Sequence, residues 1–276
     1  MITNKIHKRE EEFHDAWALS EDIQKIDIVK RNETCTSPEM RYILKKLGDI
    51  RNKKLLDVGC GLGEASVYFA LKGAEVTALD ISGEMLKNVR KFAEINHVSV
   101  NVHKATAESL DLTPNDKFDI IYVGNLFHHV DIDATLMKIS SHIKSDGILV
   151  SWDPLAYNPL INIYRNIATD VRTEDEHPLT LKDLKKFSYY FNQVEKKWFW
   201  LTTLLIFIIM FLFQRINPNE ERYWKKVVDE GEKWKYIYKP LEYVDKILFA
   251  IFPFLRPLSW NVVIFASQPV IQRKNK

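Results

Sequence analysis

Three glycines at alternate positions, Gly59, Gly61 and Gly63, follow the apolar run Leu55-Leu56-Asp57-Val58, and a second apolar run, Glu75–Asp80, ends on a carboxylate. Glycine puts no Cβ between main chain and ligand, so such a turn lets backbone pass close against a small molecule. The spacing G-x-G-x-G differs from the G-x-G-x-x-G of pyrophosphate-binding turns, in which the helix start faces the phosphates. A ligand without phosphate satisfies the turn here. A carboxylate at the end of the next strand can accept hydrogen bonds from both hydroxyls of a ribose, a charge-assisted pairing worth about 1.5–3 kcal/mol. Turn, strand context and acid together point to a nucleoside ligand, the alternative being a Rossmann domain for another nucleotide.

A second group of residues can move protons. His128 and His129 follow the fourth expected strand, Asp153 and Tyr157 the fifth, and His177 lies in the polar run Arg172-Thr-Glu-Asp-Glu-His177-Pro178. Open α/β sheets place their ligands at these strand ends. His128-His129 with Asp131 and Asp133 suggests a metal cluster, but adjacent residues on one short segment point in different directions and no third histidine follows at ligand spacing. No metal is expected. For His129, bonding a backbone group competes with proton transfer as a role, and His177-Pro178 can equally terminate a loop before a helix.

The elements that would position these groups alternate short Val/Ile/Leu-rich runs with amphipathic stretches, the pattern of a parallel sheet wrapped by helices. Strands are expected at 54–58, 75–80, 98–104, 118–124 and 147–153, with helices at 64–72, 83–95 and 132–143. Ser37-Pro38-Glu39 offers a cap, a proline at the first helical position and an acidic first turn, predicting a helix over 38–47. A further helix over 5–19 should cover the site or pack on the sheet edge. After Asp153 come a substrate-facing excursion, a helix over 179–191 and strands at 193–200 and 261–268. If those two strands pair, everything from Leu201 to Trp260 is an insertion at the sheet edge. The organisation is therefore an N-terminal helical cap (1–50), a core (51–200) including the excursion 154–192, an apolar helical insertion (201–260), and a last strand with a basic tail (261–276).

The run LLDVGCGLGEASVYFALKGAEVTALDISGEML resembles motif I through motif II of class I S-adenosylmethionine (SAM)-dependent methyltransferases, close to the ubiquinone/menaquinone-type methyltransferase domain, and the resemblance extends over roughly 41–154. It implies a Rossmann-like α/β fold with a mostly parallel seven-stranded sheet and helices on both faces. It also implies SAM as cofactor, S-adenosylhomocysteine as product and no metal. By this resemblance Asp57, Gly59, Gly61 and Gly63, with Cys60 between them, form the methionine-side turn. Asp80 binds the ribose, Ile81 and Met85 pack near the adenine, and Asn125 lies near the sulfonium. The family often carries aspartate-alanine-glutamate after the third strand; here the run is Thr106-Ala107-Glu108, so the adenine contact falls to Thr106 or to a backbone group. Methyl transfer is an in-line displacement in which alignment can supply about 7–11 kcal/mol of the barrier. A hydroxyl, amine or enol acceptor also needs a base, whereas a carboxylate does not. Family members often carry a histidine pair in the loop of His128 and His129, which tilts His129 toward proton transfer; Asp153 is an equal candidate, and Tyr157 a further one.

Composition bounds the partners. Of 276 residues, 46% are hydrophobic and 28% charged, as in an ordinary globular domain with elaborations. Lysine and arginine number 39 against 37 acidic residues, so the net charge of +2 leaves no basic footprint for nucleic acid. Cys35 and Cys60 are the only cysteines, too few for a disulfide framework or a cysteine metal site, which fits a reducing compartment. The first twelve residues lack the apolar stretch of a secretory signal, and the expected location is cytoplasmic, at the cytosolic membrane face.

Two runs need an apolar partner: 198–213 (WFWLTTLLIFIIMFLF), without charge, and 247–258 (ILFAIFPFLRPL). Leaving one face of the first uncovered would forgo on the order of 10 kcal/mol, comparable with a whole domain's stability. At about 1.5 Å per residue the first run reaches about 24 Å, short of a bilayer core of about 30 Å. Strands on both sides of it belong to one sheet, so the chain crosses a membrane an even number of times or not at all. Peripheral docking is the favoured reading, with Trp198, Trp200, Tyr223, Trp224, Trp234, Tyr236, Tyr238 and Tyr243 as headgroup-level aromatics. The acceptor would then be a lipid or hydrophobic small molecule. A lid over an apolar pocket and a dimer interface are the alternatives, which a soluble small-molecule methyltransferase would use. A catalytically silent SAM-binding scaffold is a third reading.

Overall fold

The computed structural model describes residues 2–169 and 176–270. The expected residues 172–175 of the polar excursion and the basic tail 271–276 lie outside them. Seven strands, β1 (Lys54–Val58), β2 (Glu75–Asp80), β3 (Val100–Lys104), β4 (Phe118–Gly124), β5 (Ile143–Pro154), β6 (Phe191–Phe199) and β7 (Asn261–Pro269), form one sheet in the order β3-β2-β1-β4-β5-β7-β6. The first five pair in parallel, and β7 runs antiparallel between β5 and β6. The last two expected strands do pair, with Trp198 opposite Val262 and Phe199 opposite Asn261.

Successive strand residues point to opposite faces of the sheet, and the two faces bury different clusters. Leu55, Val76, Ile120, Tyr122, Val150, Val263 and Phe265 face one side. Leu56, Val58, Leu79, Ile121, Val123, Leu149, Val262 and Ile264 face the other. The helices α1 (Ile2–Ser20), α2 (Ile28–Glu33) and α3 (Pro38–Leu47) precede β1; α4 (Glu64–Leu71), α5 (Gly83–Ile95) and α6 (Ile132–His142) join the parallel strands. α7 (Pro159–Ile167) and α8 (Leu181–Tyr190) fill the excursion after β5. Aspartate, asparagine or threonine caps start several of these: Asp27 for α2, Asp131 for α6, Asn158 for α7 and Thr180 for α8 each accept a backbone N–H of the first turn.

Between β6 and β7 the chain forms α9 (Leu205–Leu212), α10 (Tyr223–Asp229) and α11 (Gly231–Ile251). The start of this insertion is pinned by buried Asp245 of α11, which accepts the N–H of Leu201 at 3.0 Å and of Thr202 at 2.6 Å and the hydroxyl of Thr203 at 2.9 Å. Trp200, Leu204, Phe207, Met210, Tyr223, Trp234 and Tyr238 join the sheet's first cluster. This corrects the expectation for the aromatic residues: Trp200, Tyr223, Trp234 and Tyr238 are core, whereas Tyr236 and Tyr243 are 85% and 66% exposed. Among the described residues, no helix is long and apolar enough to cross a membrane.

α3 is bound to the end of β7 through a buried carboxyl. Glu39 Oε1 accepts from Asn261 Nδ2 at 2.7 Å, and burial pushes its pKa from 4.5 up to about 7 against the opposing effect of that bond. A carboxyl with a raised folded pKa contributes stability that declines as pH rises from its unfolded value and is lost beyond the folded one. The cost reaches about 3 kcal/mol above neutrality, at about 1.4 kcal/mol per unit. Glu39→Gln keeps the acceptor for Asn261 and removes the charge. Thermal melts should show it more stable than the parent at pH 8, with the difference shrinking toward pH 5.

Candidate active site

A cavity of about 300 Å³ opens at the carboxyl ends of β1, β2, β4 and β5, lined by the glycine turn, Asp80, Asn125, His128, His129 and Trp152. Sheet topology explains the gathering: the parallel strands deliver their last residues to one rim. Gly59, Gly61 and Gly63 have φ of +70°, +51° and +88°, backbone that favours glycine. The three serve different purposes. A Cβ on Gly59 would meet Leu126 at 2.7 Å and one on Gly63 would meet Val89 at 2.6 Å, whereas one on Gly61 meets nothing within 4 Å. Gly61 therefore keeps a surface of the cavity open, and Gly63 allows the turn to pack on α5.

The carboxylates hold this turn. Asp80 accepts the N–H of Gly61 at 2.8 Å through one oxygen and that of Ser82 at 2.9 Å through the other. Burial raises its pKa, while His14 and the N–H groups of Ser82, Gly61 and Ile81 act the other way. Asp57 is buried beneath the turn and accepts from Ser66 Oγ at 2.5 Å; burial pushes its pKa up to about 7, with Asp80 adding to the rise. Cys60, Ile81, Thr106, Ala107 and Glu108 also line the cavity. Met85 does not: its side chain is fully buried with Ala18, Leu62 and Val67 beneath α1 and α5.

At the other end, His128 Nδ1 lies 3.0 Å from Asp153 Oδ1, both groups being buried. Burial pushes the Asp153 carboxyl well up, and the N–H groups of His128, Phe127 and Leu126 beside it oppose that rise. His129 lies with its ring centre 4.1 Å from that of His128; its Nδ1 is 3.3 Å from Glu10 Oε2 and its Nε2 3.9 Å from Glu176 Oε1. The adjacent histidines thus converge, contrary to the expectation that they diverge. With Glu176 they form a group whose ligand atoms lie within 4.8 Å of one another, brought together by the return of the chain after α7. Tyr157 is corrected: it is 38% exposed, and its hydroxyl accepts the N–H of Leu181 at the start of α8. The backbone N–H of His177 donates to His128 O at 2.8 Å, so that residue shapes the loop.

Two further walls come from outside the strand ends. α1 contributes His7, Glu10, Phe13, His14 and Trp17, and the insertion contributes Arg222, Trp224 and Lys225. The spacing of His7, Glu10, His14 and Trp17 is three, four and three residues, one face of a helix, and this was the signal that could have placed them together. Nothing in the local sequence announces Arg222. It reaches the cavity because Lys225 pairs with Glu21 after α1, at 2.6 Å.

The strand order and the glycine turn with its acid find a counterpart among known proteins. Residues 56–151 match the family described as "Methyltransferase domain". The chain carries a class I SAM-dependent methyltransferase domain. Relatives of this domain include a ubiquinone biosynthesis O-methyltransferase of Actinobacillus pleuropneumoniae serotype 5b (strain L20), 36% identical over 115 residues, which are 39% of this chain and 48% of that one. A protein with the same description from Rickettsia prowazekii (strain Madrid E) is 32% identical over 117 residues, 40% of this chain and 45% of that one. The chain spans about half the length of the curated relatives it matches. In fold, the methyltransferase domain and its additions are similar to YcgJ of Bacillus subtilis, with a TM-score of 0.52, 19% identity and coverage of 83% of this chain and 97% of that one. They are also similar to Haemonchus contortus phosphoethanolamine N-methyltransferase 2, solved with SAM, with a TM-score of 0.56, 18% identity and coverage of 83% and 52%.

The three glycines give the methyltransferase domain a graded response to an added methyl group. Gly61→Ala should cost on the order of 1 kcal/mol for its left-handed backbone, a fall of about 2–4 °C in Tm. Gly63→Ala forces Val89, backbone included, to shift (its Cα would lie 3.1 Å from the new Cβ) and should fall well beyond that range. Calorimetry of the two variants would reveal the ordering, and equal losses would contradict it.

Proposed function

We propose that the protein is a SAM-dependent methyltransferase that transfers a methyl group to a hydrophobic small-molecule or lipid acceptor, working against a membrane surface. The observation that carries the reading is that the glycine turn with Asp80 and His128, paired with buried Asp153, line one cavity. SAM would supply an electrophilic methyl group on sulfur. Asp80 has acceptor capacity left for the ribose hydroxyls after its two backbone bonds, Thr106 and Ile81 border the adenine end, and the open face of Gly61 admits the methionine portion. His128, oriented through Nδ1 by Asp153, is the group placed to take the proton of a hydroxyl acceptor. His129, beside Glu10, is the second proton-handling group.

The membrane part rests on α11, which has two apolar faces. Trp234, Tyr238 and Phe249 point into the core, while Tyr236, Tyr243, Val244, Ile247 and Ile251 recur at helical spacing on the opposite, exposed side. Phe211, Leu212, Phe213, Phe252 and Phe254 add to the exposed apolar surface. Such a stripe on a helix too polar to span suits an interfacial position. A second reading, that the insertion is a lid, is favoured by one observation: Arg222, Trp224 and Lys225 line the cavity. The two roles are compatible, because different residues of the insertion serve them.

Incubation of the protein with methyl-labelled SAM and an extract of its source cells tests the activity; label should enter the organic phase, and label confined to aqueous products would refute a lipophilic acceptor. Asp153→Asn should lower that transfer about 100-fold or more with S-adenosylhomocysteine affinity unchanged; loss of both together would assign Asp153 to folding instead. For the membrane, Phe207 is buried and unsuitable as a probe. A variant with Phe213, Ile251 and Phe254 replaced by serine should lose co-sedimentation with phosphatidylglycerol vesicles while keeping its Tm, and unchanged co-sedimentation would remove the docking role.

A further inference from the structure

Arg222 enters the cavity from the insertion just ahead of α10. Its guanidinium carbon lies 4.0 Å from the centre of the Trp17 ring, a cation–π stack that holds it between α1 and the insertion. The side chain is half-buried, and burial draws its pKa down; a guanidinium nevertheless stays charged in proteins. Among the described residues it has no ion pair and no side-chain hydrogen bond. The carboxylates and hydroxyl that influence it are Glu21, Glu176 and Tyr164. Glu21 is engaged by Lys225 at 2.6 Å and by Trp17 Nε1 at 2.7 Å, and Glu176 faces His129. Arg222 also borders a second, more open cavity of about 410 Å³ carrying Glu220, Glu221 and Asp229.

A partly desolvated guanidinium without a carboxylate partner is costly, and its planar fork of donors matches a carboxylate or phosphate. Lys225 spends its charge on Glu21. We propose that Arg222 is the oxyanion-binding residue of the main cavity, receiving a carboxylate or phosphate of the ligand held there. This rests on the methyltransferase reading, and the oxyanion has two sources: the methionine carboxylate of the donor, or an acidic group on the acceptor. Either way the insertion completes a binding site that the strand ends leave unfinished.

Calorimetric titration of the full chain, as wild type, Arg222→Gln and Arg222→Lys, separates these sources. S-adenosylhomocysteine carries the amino-acid carboxylate, 5′-methylthioadenosine has the nucleoside and thioether without it, and dodecyl phosphate supplies an oxyanion on an apolar chain. If Arg222 receives the donor's carboxylate, Arg222→Gln weakens S-adenosylhomocysteine about 10- to 100-fold and leaves methylthioadenosine unchanged, with Arg222→Lys recovering part of the loss. If the anion belongs to the acceptor, both nucleosides bind as before and dodecyl phosphate is weakened by a similar factor. Indifference of both S-adenosylhomocysteine and dodecyl phosphate to the substitution overturns the proposal. Failure of the wild type to bind either nucleoside would instead refute the methyltransferase reading, and the dodecyl phosphate titration would still decide the role of Arg222.

Discussion

Carboxyl groups buried along one rim of a parallel sheet set the terms for everything around them. Asp57, Asp80 and Asp153 stand at or near the ends of β1, β2 and β5, each 7% exposed or less, and burial raises the pKa of all three. Removing a carboxylate from water is tolerable only where fixed dipoles or a counter-charge replace the hydration it loses. Gly61 and Ser82 provide N–H groups for Asp80, the His128 ring stands 3.0 Å from Asp153, and Ser66 provides a hydroxyl for Asp57. The loops at this rim are therefore arranged around the acids before any ligand arrives. A cationic donor is well matched to a floor built in this way.

The two walls added to the strand ends follow a different logic. α1 and the insertion are remote in sequence, yet they meet over the cavity through Lys225 with Glu21 and through Arg222 on Trp17. Neither contact involves a residue of the matched methyltransferase region, 56–151. The matched region supplies the glycine turn, Asp80 and the histidine pair, while the walls formed by α1 and the insertion lie outside it. That division is where differences in acceptor would be written in a fold common to many chemistries.

How far the sequence revealed this depends on the range of the interaction involved. β1, β2, β4, α3 and α5 lie where their patterns place them, because buried parallel strands and capped amphipathic helices are local signals. The helix α7 was missed although Asn158 and Pro159 supply a cap and a first-position proline; the density of prolines around it read as loop. The glycines and Asp80 were legible as a site because one run, 55–86, holds them. Met85 was misplaced since helical spacing alone does not tell the cavity side from the core side. Glu176 and Arg222 were out of reach for a simpler reason: each arrives by a long-range contact with no local trace, whereas Glu10 shares a helix face with His7, His14 and Trp17. The aromatic residues of the insertion illustrate the limit of composition, which identified an apolar segment needing cover but not that Tyr223, Trp234 and Tyr238 find that cover in the sheet's own core.

The ends of the insertion are also neighbours. Trp260 N–H donates to Trp200 O at 2.8 Å, the two indoles lie 5.8 Å apart, and β6 and β7 continue from them as an antiparallel pair. In topological terms the segment between is an enlarged hairpin loop, and two residues of turn would suffice to join the strands it separates. In energetic terms it is not a loop, since its side chains are continuous with the cluster beneath one face of the sheet. The place where the chain could be cut most easily and the place where cutting would expose the most apolar surface are therefore the same. A plain hairpin in its place would leave that face without cover, so the insertion and the apolar composition of the sheet face below it depend on one another.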